Sequence, residues 1–114
     1  MSAPAVEQLA PGLSVTGQLD PAAMAWAAQA GFKSVINNRP DFEGGPEQPS
    51  SAAMQAAALA AGLRYAWLPV APSLQTEQEI ARFAELLNEL PKPVLAYCRS
   101  GARSGKLYRA ATSG

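Results

Sequence analysis

The run Cys98-Arg99-Ser100-Gly101-Ala102-Arg103-Ser104 puts a thiol, two guanidinium groups, two hydroxyls and a glycine into seven consecutive positions. An apolar stretch, Val94 to Tyr97, precedes it and a helical pattern follows, so the sulfur stands at a fixed point where a buried strand ends. Gly101 permits backbone conformations that a side chain blocks, which lets the N–H groups of Ser100, Gly101 and Ala102 converge on one spot. A helix starting near Ser104 adds its positive end and unpaired amides. Arg99 and Arg103 add full charges, and a guanidinium can grip an oxyanion through two parallel hydrogen bonds. The same field favours a thiolate at neutral pH. The Ser104 hydroxyl can donate to that thiolate or cap the helix. The chemistry implied is a nucleophilic sulfur beside a cradle for a small oxyanion. A cysteine that merely ends a core strand would leave two arginines and a glycine within five residues unexplained.

The rest of the inventory narrows the chemistry. Lys92, Arg99, Arg103, Lys106 and Arg109 all follow Leu90, and the last carboxylate is Glu89, so the final 25 residues carry +5 in a chain of zero net charge. Such a patch draws in small anions or anionic groups. One cysteine and no histidine exclude an internal disulfide, a histidine-bearing zinc site and a Ser-His-Asp triad. No metal and no cofactor is expected. A lone thiol fits a reducing compartment, and Met1 to Gly12 have no basic segment of a secretory signal, so a cytoplasmic location is expected. The charged fraction, 16%, is low and balanced, which argues against nucleic acid as a partner. No uncharged apolar run approaches the ~18 residues of a membrane span.

These residues need a scaffold, and the chain is punctuated regularly enough to read one. Of 55 apolar residues 24 are alanine and one is Cys98, leaving 30 bulky side chains among 114 residues: one modest core, hence a single domain over 1–114. Leu13 to Leu19 reads as a strand. Asp20-Pro21 starts a helix that Gly31 stops. Lys33 to Asn37 is a second strand, and Asn38 to Pro49, with three prolines and Gly44-Gly45, is a loop. Ser50 or Ser51 caps a helix that stops at Gly62, and Leu63 to Leu68 is a third strand. Thr76 and Glu79 form a capping box for a helix with Ile80, Phe83, Ala84, Leu87 and Leu90 on one face. Val94 to Tyr97 is a central buried strand, and a last helix runs to about Ala111. Strand and helix alternate, which predicts an α/β fold: a parallel sheet of four to five strands flanked by helices. Ligands of such sheets bind beyond the carboxyl ends of the strands, where Cys98 sits. Trp26 and Trp67 are assigned to the core.

Several separated motifs carry a family resemblance: Val15-Thr-Gly-Gln-Leu, Gly31-Phe-Lys-Ser-Val-Ile-Asn-Asn-Arg-Pro-Asp, Gly62-Leu-Arg-Tyr, Leu68-Pro-Val and Cys98-Arg-Ser-Gly-Ala-Arg-Ser. From about Leu9 to Arg109 the chain resembles the phosphatase-like domain of beta-lactamase-hydrolase-like proteins, also catalogued as DUF442 or as a sulfur transferase. The resemblance implies a fold similar to small dual-specificity phosphatases, and some members are fused to sulfur dioxygenases. It implies Cys98 as nucleophile, Arg103 as the anion-binding arginine and Ser104 as the following hydroxyl. Arg39, Asp41 and Glu43 fall in the family's Arg-Pro-Asp loop, expected near the same sheet edge.

Two departures from a protein tyrosine phosphatase bear on the chemistry. That family places five residues between its cysteine and arginine, whereas four separate Cys98 from Arg103, and Tyr97 stands where histidine is usual. A six-residue loop has the length seen in rhodaneses, which surround a persulfide sulfur with amides. Phosphatases of this shape also keep an acid roughly 30 residues before the cysteine, because a phenol of pKa about 10 is a poor leaving group without a proton. From Gly62 to Thr76 the chain has no carboxylate, which leaves Asp41 or Glu43 as substitutes. Loop length and acid inventory favour sulfur transfer from thiosulfate or a persulfide to an external thiol such as glutathione, with a sulfur dioxygenase as a candidate partner. The alternative is phosphoester hydrolysis through a phosphocysteine. A third reading is a non-catalytic anion-binding or docking domain.

Overall fold

In the computed structural model, residues 4–112 are described, and their elements alternate almost as the punctuation predicts. The strands are β1 (Val6–Ala10), β2 (Leu13–Thr16), β3 (Ser34–Asn37), β4 (Arg64–Trp67) and β5 (Val94–Tyr97). The helices are α1 (Ala23–Gln29), α2 (Ser51–Ala60), α3 (Glu77–Glu89) and α4 (Ala102–Thr112). The strands form one sheet in the order β1-β2-β5-β3-β4. None of the helices is long and apolar enough to cross a membrane.

β5 is central and parallel to both neighbours, with Tyr97 level with Thr16 on β2 and Asn37 on β3; Asn37 in turn pairs with Trp67 on β4. The carboxyl ends of four strands thus finish in one row, and the residues just past it surround Cys98. The alternation of side chains splits β5 between two cores. Leu95 and Tyr97 face α1 and α2 among Met24, Val35, Met54 and Leu63. Val94 and Ala96 face α3 and α4 among Ile36, Phe83, Leu86 and Leu107. All four β5 residues are fully buried, which is why that strand reads as a continuous apolar run. Small side chains at Ala23, Ala27 and Ala58 let α1 and α2 pack closely on their face.

Most boundaries follow local chemistry. The Ser50 hydroxyl accepts the Ala53 N–H at 3.1 Å ahead of α2. At α3, Thr76 and Glu79 exchange bonds of 2.8 and 3.1 Å, the reciprocal capping box. Asp20 Oδ1 accepts the Ala23 N–H at 2.9 Å, so the Asp-Pro signal lies two residues ahead of α1 proper.

Three expectations are corrected. The sheet is mixed rather than fully parallel, because β1 adds an antiparallel edge strand to β2. β1 is mostly exposed and has a bulge between Gln8 and Ala10, so no alternating apolar signal announced it. The strand read as Leu13 to Leu19 stops at Thr16, where Gly17 passes so near the Cys98 loop that a Cβ would lie 3.0 Å from the Arg99 carbonyl oxygen. Trp67 is not in the core: it is 44% exposed, and its indole N–H reaches the Arg39 carbonyl at 2.9 Å. Trp26 does pack partly buried against the α1–α2 core.

Candidate active site

Cys98 follows β5 directly and is 1% exposed, so its sulfur is buried at the strand end. The next residues turn back over the end of β2 and enter α4 at Ala102. Gly101 makes this possible with φ +94°, and a Cβ there would lie 3.3 Å from the Thr16 carbonyl. The Gly101 N–H donates to Cys98 Sγ at 3.0 Å. Burial alone would push the thiol up, but backbone N–H groups of Ser104, Ser100, Arg103 and Gly101 converge on the sulfur and hold its pKa below the ordinary value. The stabilisation thus comes from amides at the start of a helix more than from the flanking guanidinium charges. Ser100 Oγ accepts the Ala102 N–H at 3.3 Å and stays exposed.

Arg103, anchored in the first turn of α4, points across the row of strand ends. Its Nη1 and Nη2 donate to Glu43 Oε2 and Oε1 at 2.8 and 2.6 Å, and Nη1 also donates to the Val70 carbonyl at 3.1 Å. These bonds use three of the five guanidinium N–H groups, leaving the Nε edge for a second bidentate contact. Arg39 reaches the same carboxylate, Nε to Oε1 at 2.8 Å, while its Nη1 donates to Gln18 Oε1 at 3.0 Å. The Arg103 bond above all, then the Arg39 bond, outweighs desolvation and keeps the Glu43 carboxyl below the usual carboxylate range. Arg103 is correspondingly held cationic, chiefly by Glu43.

Asp41 and Glu43, equivalent candidates in the sequence, part company. Asp41 Oδ1 accepts the Ser51 N–H at 2.8 Å and so caps the start of α2. Glu43 lines a cleft of about 810 Å³ together with Gln18, Arg39, Arg99, Arg103 and Lys106. Asp41 does not. Arg99 and Lys106 lie exposed on the rim of this cleft, and Ser100 and Ala102 border it. Ser104 neither caps the helix nor donates through its hydroxyl to the sulfur. Its Oγ gives its proton to Asn38 Oδ1 at 2.8 Å, and its backbone N–H faces the thiol instead. Among the described residues no cluster of three or more His, Cys, Asp or Glu could hold a metal.

Sequence reasoning missed Asn38, Gln18 and the Val70 carbonyl. Asn37-Asn38 at the end of a buried strand level with Cys98 was the available signal, since an amide fully buried beside that thiol must have partners. Nothing local pointed to Gln18 or Val70.

Comparison with known proteins agrees with this geometry. Residues 5–114 match the family described as the phosphatase-like domain of beta-lactamase hydrolase-like proteins. A beta-lactamase hydrolase-like protein of Agrobacterium fabrum is 40% identical over 96 residues, 84% of this chain and 22% of the relative. The chain therefore spans about a fifth of the curated relatives it matches. The crystal structure of a phosphatase candidate from Neisseria meningitidis superposes with a TM-score of 0.84 at 32% identity, covering 96% of this chain and 78% of that one. TpbA of P. aeruginosa, solved in complex with pTyr, shares the fold at a TM-score of 0.69 and 19% identity, over 96% of this chain and 65% of that one.

Proposed function

We propose that this chain, which belongs to the phosphatase-like domain family of beta-lactamase hydrolase-like proteins, uses Cys98 to carry sulfane sulfur from an anionic donor to a thiol acceptor. The donor, thiosulfate or a persulfide, enters over the loop amides and the Nε edge of Arg103. The Cys98 thiolate attacks the outer sulfur, a new S–S bond forms, and the donor's S–S bond breaks. Sulfite, or a thiolate, departs with the electron pair. An acceptor thiolate then attacks the terminal sulfur and returns Cys98 to the thiolate. With one cysteine in the chain the acceptor is external: glutathione or a partner protein, with a sulfur dioxygenase a candidate consumer of the product.

The state of Glu43 carries this reading. The carboxylate bound to Arg103 is held ionised by two guanidinium groups, which makes it a poor proton donor. Asp41 is engaged at α2. A departing alkoxide or phenolate needs a proton, whereas sulfite leaves as a stable anion. The six-residue span from Cys98 to Arg103 agrees, as a tight ring of amides suits a single sulfur atom.

A second reading, phosphoester hydrolysis through a phosphocysteine, is favoured by the fold shared with TpbA and by the family itself. In that reading Glu43, released from Arg103, is the acid. One preparation assayed with thiosulfate plus cyanide, beside an aryl phosphate, separates the two. Sulfur transfer predicts thiocyanate formation and, by mass spectrometry after thiosulfate treatment, one added sulfur on Cys98 that is absent in Cys98→Ser. Phosphate release without added sulfur would reverse the assignment.

A further inference from the structure

Asn38 lies one residue beyond β3, fully buried, with every polar group committed. Its N–H donates to the Tyr97 carbonyl at 2.8 Å, and its own carbonyl accepts the Val70 N–H at 3.1 Å. Its Nδ2 donates to the Leu68 carbonyl at 2.9 Å while its Oδ1 accepts the Ser104 hydroxyl at 2.8 Å. The amide side chain donates from one terminal atom and accepts at the other, so it spans both partners at once. Asn38 therefore ties together three segments that meet at the nucleophile: the end of β5, residues 68–70 after β4, and the first turn of α4. Two of these hold the reacting groups. The Ser104 N–H faces Cys98 Sγ, and the Val70 carbonyl accepts from Arg103 at 3.1 Å.

We propose that Asn38 is a positioning residue for the nucleophile: through Ser104 Oγ it clamps the first turn of α4 so that the Ser104 amide stays on Cys98 Sγ, and through residues 68–70 it steers Arg103. The inference rests on Cys98 being the nucleophile and is independent of which anion it attacks. Asn38 itself touches no substrate. The charged groups around the site, Arg99, Arg103 and Lys106 from the Cys98 loop and α4 and Arg39 and Glu43 from the 38–50 loop, are unaltered in the variants that test it.

The test is the rate of Cys98 alkylation against pH in wild type, Asn38→Ala, Ser104→Ala, the double variant and Ser104→Thr, with thermal melting of each. Asn38→Ala and Ser104→Ala each raise the midpoint, leaving about tenfold less thiolate at a pH below the wild-type midpoint. The double variant matches the singles, because both cut one chain of contacts. Ser104→Thr, which keeps the hydroxyl, retains the wild-type profile. An unmoved midpoint in folded Ser104→Ala, or additive shifts in the double variant, overturns the proposal. Should Asn38→Ala fail to fold, the Ser104→Ala and Ser104→Thr pair decides alone. Alkylation needs no turnover, so a chain that transfers no sulfur yet shows these shifts disproves the sulfur-transfer reading and leaves this one standing.

Discussion

Two loops meet at the carboxyl edge of the sheet, and they are built on opposite principles. The loop from Cys98 to Ser104 is organised by its own backbone: the Gly101 N–H reaches Sγ at 3.0 Å, and the Gly105 N–H closes on the Gly101 carbonyl at 3.0 Å. The loop from Asn38 to Ser50 has two backbone turns, Gly45 N–H to the Phe42 carbonyl at 3.0 Å and Gln48 N–H to the Gly45 carbonyl at 3.2 Å, but it is closed by side chains that reach across it. Gln48 holds the Pro40 carbonyl at 2.9 Å and the Gly44 N–H at 2.7 Å, and the Trp67 indole holds the Arg39 carbonyl at 2.9 Å. It also contains Phe42, which among the described residues is the one non-glycine with positive φ, at 65°. A backbone-built loop fixes amide positions to within the tolerance of one hydrogen bond, which suits a nucleophile. A side-chain-built loop can present a carboxylate on a short stem and release it. The amides that reach the Cys98 sulfur lie in the first loop, and the carboxylate that binds Arg103 lies in the second.

Breaking the backbone-built loop has the largest expected effect. Gly101→Ala forces an L side chain into positive φ and puts its Cβ 3.3 Å from the Thr16 carbonyl. The strain costs about 1–3 kcal/mol, and relief of it moves the Gly101 amide off Sγ. Urea denaturation registers the loss of stability, and alkylation against pH registers a raised thiol midpoint. Wild-type values for both would mean that the loop does not depend on this conformation.

The contrast also explains what was legible. The shape of the Cys98 loop could be read because it is local: strand end, glycine at positive φ, helix start and adjacent arginines. The parallel part of the sheet could be read for a similar reason, since capping residues and glycine stops mark each element at its own position. The role of Glu43 could not be read, because it depends on Arg103, 60 residues away, arriving at 2.6 Å. Asp41 and Glu43 look alike in sequence, and the fold distinguishes them by pointing one at a helix start and the other at a guanidinium. Strand β1 was illegible on other grounds: an exposed edge strand stabilised by one neighbour needs no apolar pattern.

Glu43→Gln and Asp41→Asn, compared in one set of assays, sharpen the distinction within the side-chain-built loop. Glu43→Gln removes the negative charge that holds Arg103 and Arg39 in place; if the reaction is sulfur transfer, the donor KM rises several-fold while kcat stays within about twofold, since no proton is supplied. A catalytic acid would instead take about 10²-fold or more from kcat. Asp41→Asn weakens the N-terminal contact of α2 at a cost of about 0.5–1 kcal/mol, visible in melting, and leaves both kinetic constants unchanged. Loss of turnover in Asp41→Asn would exchange the roles assigned to the two carboxylates.

The smallest effect is a pH dependence of stability, and its sign follows from the direction of the thiol shift. Cys98 is held below its ordinary pKa in the fold by loop amides that overcome burial, whereas the unfolded thiol titrates near ~8.5. A group whose folded pKa is depressed contributes stability that is full above the unfolded value and is lost as pH falls through the folded one. Between those two values wild type must therefore gain stability with rising pH relative to Cys98→Ser, which has no proton to lose there. The slope for one proton cannot exceed about 1.4 kcal/mol per pH unit. Urea midpoints of the reduced wild type and Cys98→Ser, measured in steps from pH 5 to 9, give the difference directly, with other titrating groups common to both. A divergence that closes toward low pH places the thiolate in the amide ring of the backbone-built loop. Parallel curves would mean that the amides do not prefer the charged sulfur, and the anion cradle would have to be sought at the Arg39–Glu43–Arg103 cluster instead.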